Sequence, residues 1–210
     1  MLTGVILAGG NNERMGGASK ALLTFSDEIL VRRQIQIMKR ICNELILVTN
    51  EPKPFLPILP HSVRIITDYF PGKGPLGGMY SALSLSKHNC LWVVACDMPF
   101  ISEKAAAEMW NTLIESDSDA VIPWIGGQYQ LLHGVFHKRS VDVIARLLEQ
   151  GVRDELQLLN YVRCNIVMEP YFRERGINLR FVQNFNTPEE YEDVVFIDKL
   201  INGNTTEQAF

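Results

Sequence analysis

The chain has 210 residues, 47% hydrophobic and 21% charged, with a formal net charge of −4. That length suits one sizeable core, and that composition excludes a disordered chain. No apolar run reaches the ~18 residues that cross a bilayer, and an acidic balance without a basic stripe excludes a dedicated nucleic-acid binder.

In chain order, apolar β-branched runs alternate with helical patterns. Residues 4–8 read as a buried strand. Over residues 29–42, Val31, Ile35, Met38 and Cys42 recur every three to four positions, which predicts an amphipathic helix. Residues 45–49 and 63–67 read as the next strands, 76–86 as a helix and 91–95 as a fourth strand. Ser102 is placed to cap a helix over 102–115, and 120–123 reads as a fifth strand. Gly126-Gly127 signals a turn, with an antiparallel excursion expected over 128–136. Residues 141–150 and 154–161 read as helices, and 164–168 and 179–182 as strands. Thr187 and Pro188 open a last helix to about residue 200. The pattern predicts a Rossmann-like three-layer α/β/α fold, its sheet mostly parallel with an antiparallel excursion in the C-terminal half. One domain is expected over residues 1–201, with a flexible tail at 202–210. Long loops fall at 9–27 and 50–62, where loops of such length are often functional.

The N-terminal apolar stretch has no basic region and no cleavage pattern, so it reads as a first strand and the protein is expected in the cytoplasm. Cys42, Cys90, Cys96 and Cys164 form no Cys-x-x-Cys pair and read as free thiols. His133 and His137 stand four apart, but no third ligand sits at metal-site spacing, so they read as unrelated side chains.

The first strand ends in Leu7-Ala8-Gly9-Gly10, followed by a polar loop with Arg14, Gly16, Gly17 and Lys20. Glycines let backbone N–H groups approach phosphates, and the two cations supply charge for them. The spacing is not that of a P-loop. A literal Gly-x-Gly-x-x-Gly at Gly72 to Gly77 contains Pro75 and is a weak signal alone. Asp97 follows the fourth strand, where a carboxylate facing a phosphate loop is the expected holder of Mg²⁺. Asn50 and Asp68 follow the second and third strands. Four parallel strands thus run into Gly, Asn or Asp at one sheet edge, which is where ligands bind in such sheets.

With these segments in order, the chain resembles the molybdenum cofactor guanylyltransferases. The matches are Leu7-Ala-Gly-Gly10 with Arg14-Met-Gly-Gly and Lys20, then Asn50, Asp68, Gly74-Pro-Leu-Gly-Gly78, Cys96-Asp-Met-Pro-Phe100 and Asn184-Phe-Asn-Thr-Pro-Glu-Glu190. The resemblance implies GTP contacts from Leu7, Ala8, Gly9, Gly10, Lys20, Asn50, Asp68 and Asp97. It implies Mg²⁺ on Asp97, phosphates steadied by Arg14, a turn after Asp68 shaped by Gly74 and Gly78, and Asn184 and Asn186 on the pterin side. Arg14, Lys20 and Asp97 would be the catalytic set. GTP and molybdopterin would be the substrates, with cofactor-assembly and acceptor proteins as partners and neither nucleic acid nor membrane among them. Two positions depart from the family pattern: Ser19, where Asp is common, and Leu131, where Pro is common. A cytidylyl- or sugar-phosphate nucleotidyltransferase, and a non-catalytic nucleotide-binding module, are the alternative readings.

Overall fold

The structure is a computed structural model and describes residues 1–9 and 19–203. Gly10 and Arg14 of the expected phosphate loop, and residues 204–210 of the expected tail, lie outside the described residues.

The described elements are β1 (Leu2–Leu7), a hairpin of β2 (Thr24–Phe25) and β3 (Glu28–Ile29), α1 (Leu30–Met38), β4 (Glu44–Val48), β5 (Val63–Ile66), α2 (Pro75–Leu85), β6 (Cys90–Ala95) and α3 (Glu103–Glu115). They continue with β7 (Ala120–Ile125), β8 (Gln128–Tyr129), β9 (His133–His137), α4 (Val141–Glu149), β10 (Cys164–Met168), α5 (Glu169–Glu174) and α6 (Pro188–Gly203). The main sheet runs β5-β4-β1-β6-β9-β7-β10, with β8 on β7. Strand β9 is antiparallel to both its neighbours, β8 is antiparallel to β7, and the remaining pairs are parallel. The Rossmann-like arrangement and the antiparallel excursion both match the expectation from sequence.

Side chains alternate across a strand, so each strand feeds two cores. Leu2, Ile6, Leu45, Leu47, Trp92 and Val94 pack under α1 and α3. Val5, Ile46, Val48, Leu91 and Val93 pack under α2 and α4. At Gly4 a Cβ would stand 2.8 Å from Leu45 Cδ2 and 2.9 Å from Met38 Sδ, so the missing side chain is what lets α1 settle onto β1. A third cluster, Phe25, Leu30, Phe185 and Val194, seats α6 against the β2–β3 hairpin and the start of α1.

Register places the site. Leu7 lies opposite both Val48 and Ala95, and Val48 opposite Ile66. The carboxyl ends of four strands are therefore level, and the residues that follow them share one edge. Val94 pairs with His133, which brings Leu132 to the same height.

Two local expectations need correction. Leu179–Val182 is a 3-10 turn, not a strand: Asn178 caps it by accepting from Arg180 N–H at 3.0 Å, and Phe181 is buried against Phe172 and His133. Glu155–Asn160 is helical as expected, in the 3-10 form, with Asp154 as its cap. The β2–β3 hairpin has its first strand inside the 9–27 stretch expected as loop and its second strand at residues 28–29, reaching into the start of the expected helix.

His133 is fully buried between Trp92 and Phe181, and its Nε2 accepts the N–H of Ser102, the cap of α3, at 3.2 Å. That bond requires the neutral ring. Burial pushes its pKa from 6.5 down to about 3. Between these values the unfolded chain binds a proton that the folded chain refuses. Stability is full above pH 6.5 and falls by ~1.4 kcal/mol per pH unit from this group as pH drops toward 3. Denaturant titrations across this range check it: His133→Leu should lose that part of the pH slope, whatever its absolute stability. Equal slopes for the two proteins count against the assignment. His137 is separately occupied, its Nδ1 accepting from Arg139 N–H at 3.2 Å.

Candidate active site

A cleft of about 630 Å³ opens at the carboxyl edge of β5, β4, β1 and β6. Leu7, Val48 and Ala95 form its apolar back, and Gly9, Asp68, Asp97, Lys20 and Asn186 its polar wall. The first turn of α2 closes one side through Gly74, Pro75 and Gly78. Gly74, the N-cap, has φ 68° and ψ −158°, a conformation that suits glycine alone, and Pro75 then starts the helix with its φ already set. The positive end of an eleven-residue helix is thus presented to the cleft, a favourable place for an anion.

Lys20 and Asp97 meet at the floor, Nζ to Oδ2 at 2.9 Å, with side chains 13% and 14% exposed. The ammonium has two further acceptors, Phe185 O at 2.9 Å and Asn186 Oδ1 at 2.8 Å, so its three protons have three partners. Phe185 is fully buried in the third core, which fixes the carbonyl that Lys20 needs. Asp97 Oδ1 is buried and has no hydrogen-bond partner among the described residues. A buried carboxylate oxygen left in that state is costly unless a cation or donor reaches it. No group of three His, Cys, Asp or Glu suited to a metal occurs among the described residues. Any cation here would take one carboxylate and find its remaining ligands on a bound molecule, which is the habit of Mg²⁺ with phosphates. Cys96 also lines the cleft, but burial, with the Asp97 charge added, pushes its thiol up to about 12, so it stays protonated and is no nucleophile.

Asp68 is held from two sides. Its Oδ1 accepts Phe70 N–H at 2.8 Å, and its backbone N–H donates to Asn50 Oδ1 at 3.2 Å. A Cβ on Gly77 would stand 2.7 Å from Asp68 Oδ2, so that glycine is what lets α2 approach the carboxylate.

Of the residues expected from sequence, Leu7, Gly9, Lys20, Asp68, Asp97 and Asn186 line the cleft together, with Gly74 and Gly78. Ala8 is buried and extends the ladder, its N–H donating to Val48 O. Asn50 is spent on the Asp68 backbone, and Asn184 is exposed and outside the lining. Sequence reasoning missed Thr49, Gly72, Pro75 and Leu132 as lining residues and Phe185 as a lysine partner. Gly72 and Pro75 belong to the Gly-x-Gly-x-x-Gly stretch, so that weak signal did mark the site. A backbone carbonyl such as that of Phe185 leaves no trace in composition.

A level sheet edge, a glycine-capped helix end and a lysine–carboxylate pair over an open cleft are the parts a nucleotidyltransferase site is built from. The MobA-like NTP transferase domain family matches residues 4–163. A probable molybdenum cofactor guanylyltransferase of Clostridium perfringens is 30% identical over 193 residues, covering 90% of this chain and 94% of that one. A molybdenum cofactor guanylyltransferase of Desulfosudis oleivorans is 30% identical over 191 residues, covering 91% and 93%. In three dimensions the chain is similar to molybdopterin-guanine dinucleotide biosynthesis protein A of Archaeoglobus fulgidus, with a TM-score of 0.81, 21% identity and coverage of 94% and 98%. The chain belongs to the MobA-like NTP transferase family.

Proposed function

We propose that this enzyme transfers GMP from GTP to the phosphate of molybdopterin, giving the guanine dinucleotide form of the cofactor and pyrophosphate. The observation that carries the reading is the Lys20–Asp97 pair in the cleft of a chain whose relatives are named as molybdenum cofactor guanylyltransferases. In this reading residues 1–201 act as one domain. Leu7, Ala8, Gly9, Gly10, Lys20, Asn50, Asp68 and Asp97 serve GTP, and Asn184 and Asn186 lie toward the pterin.

A phosphate oxygen of molybdopterin attacks the α-phosphorus in line. The new P–O bond forms as the bond to the bridging oxygen breaks, and that electron pair leaves on pyrophosphate. The attacking phosphate is already ionised near neutral pH, so no general base is assigned. Lys20 and Arg14 neutralise charge on the phosphates, and the apolar back of the cleft strengthens that effect by excluding water. The buried Oδ1 of Asp97, unpartnered among the described residues, suits a divalent cation, and Mg²⁺ held there would supply charge neutralisation on the phosphates. No helix among the described residues is long and apolar enough to cross a membrane. We place the enzyme in the cytoplasm, with cofactor-assembly and acceptor proteins as its partners.

Calorimetric titration with GTP, CTP and ATP, with and without Mg²⁺, tests the nucleotide assignment. Selective GTP binding that Mg²⁺ tightens is expected, followed by release of pyrophosphate when molybdopterin is added. A preference for CTP moves the activity to cytidylyl transfer, and binding without turnover moves it to a non-catalytic module.

A further inference from the structure

The carbonyls of Ala95 and Met98 bracket Asp97 in the chain. Both accept hydrogen bonds from one atom, Nε2 of Gln34 on α1, each at 2.9 Å. The next carbonyl, Pro99 O, accepts from Nε of Arg33 at 3.1 Å. Two adjacent residues of α1 therefore grip the backbone on both sides of the cleft carboxylate. Gln34 is fully buried on the apolar stripe of α1, between Val31 and Ile35. Its Oε1 has no hydrogen-bond partner among the described residues. Turning the amide over would set that oxygen against two carbonyls, so the neighbours fix its orientation. A Leu or Met at this position would fill the stripe without an unpaired oxygen. Core packing thus does not account for the amide, whereas two carbonyls flanking Asp97 do. Arg33 is itself held, by Asp198 of α6 at 2.7 and 3.2 Å and over the Phe25 ring at 5.0 Å, and Asp198 is 1% exposed.

We propose that Gln34 and Arg33 are positioning residues for Asp97, holding its loop so that one carboxylate oxygen meets Lys20 and the other, unpartnered among the described residues, is kept in place for the metal. The inference rests on the assignment of Asp97 as the magnesium carboxylate. Partners that orient a ligand commonly matter ~10- to 100-fold in metal affinity or activity. That magnitude is expected for Gln34→Met, which keeps the volume and removes both donors.

The experiment measures GMP transfer against Mg²⁺ concentration for the full chain, with GTP KM and Tm determined alongside. Gln34→Met should raise the half-saturating Mg²⁺ or lower kcat by ~10- to 100-fold, with GTP KM little changed and Tm lowered because Ala95 O and Met98 O lose their donor. Arg33→Lys keeps a cation for Asp198 but lacks the Nε–H used by Pro99 O, and should shift the same parameters in the same direction by less. A fall in Tm with wild-type Mg²⁺ dependence and kcat means a merely structural role and overturns the proposal. Should Gln34→Met fail to fold, Arg33→Lys decides by the same criterion. A wild-type enzyme that shows no magnesium-dependent transfer overturns the functional reading itself, and this inference with it.

Discussion

Asp97→Ala is expected to reduce GMP transfer by about 10³-fold or more, the upper end of what one well-placed electrostatic group supplies. Two losses coincide in that variant. The unpartnered carboxylate oxygen is gone, and among the described residues Lys20 keeps two neutral acceptors, Phe185 O and Asn186 Oδ1. Asp97→Asn separates the two, because its amide oxygen still accepts from Lys20 at the same place while the negative charge is removed. If the charge holds the metal, Asn should be almost as damaging as Ala, and added Mg²⁺ should restore little. GTP binding measured without metal should change far less than turnover in either variant. An Asp97→Ala enzyme that runs at the wild-type rate with Mg²⁺ would falsify the metal assignment.

Lys20→Met should lower kcat about 10²-fold and cost about 1–3 kcal/mol of stability, because three acceptors around one partly buried ammonium lose their donor together. The informative comparison is Lys20→Arg. Charge is kept, but a planar fork cannot direct donors to three acceptors arranged around a point, so most of the activity should still be lost. Rates and thermal midpoints for Lys20→Met, Asp97→Asn and the double variant complete a cycle. Non-additive losses are expected, since the two side chains touch at 2.9 Å. Additive losses, or a fully active Lys20→Arg, contradict the three-acceptor arrangement.

The layers were legible in the sequence because the central parallel strands β1, β4 and β6 are buried on both faces and read as short apolar runs. Glycine, Asn and Asp at the ends of four such runs marked the site edge, and register confirms that those ends are level. What escaped has physical causes. The β2–β3 hairpin has only two residues per strand, too short for a period to show. Residues 179–182 are as apolar as a strand, yet their burial is against side chains rather than in a ladder. Leu132 enters the cleft through the pairing of β9 with β6, a long-range fact absent from local pattern. Gln34 carried a usable signal: a polar residue at helical spacing from Val31 and Met38 lies where an apolar one belongs, and such a position asks what the amide is holding.

The cradle around Lys20 joins positions 165 and 166 residues apart along the chain. A ribosome releases the lysine and the carboxylate long before Phe185 and Asn186, so the emerging polypeptide carries both charged groups without the segment that fixes them. Because that segment is seated by α6 through the third core, the pocket acquires its working shape only when the final helix docks. The complete cradle is therefore expected only in a chain synthesised past Asn186 and through the helix that seats it.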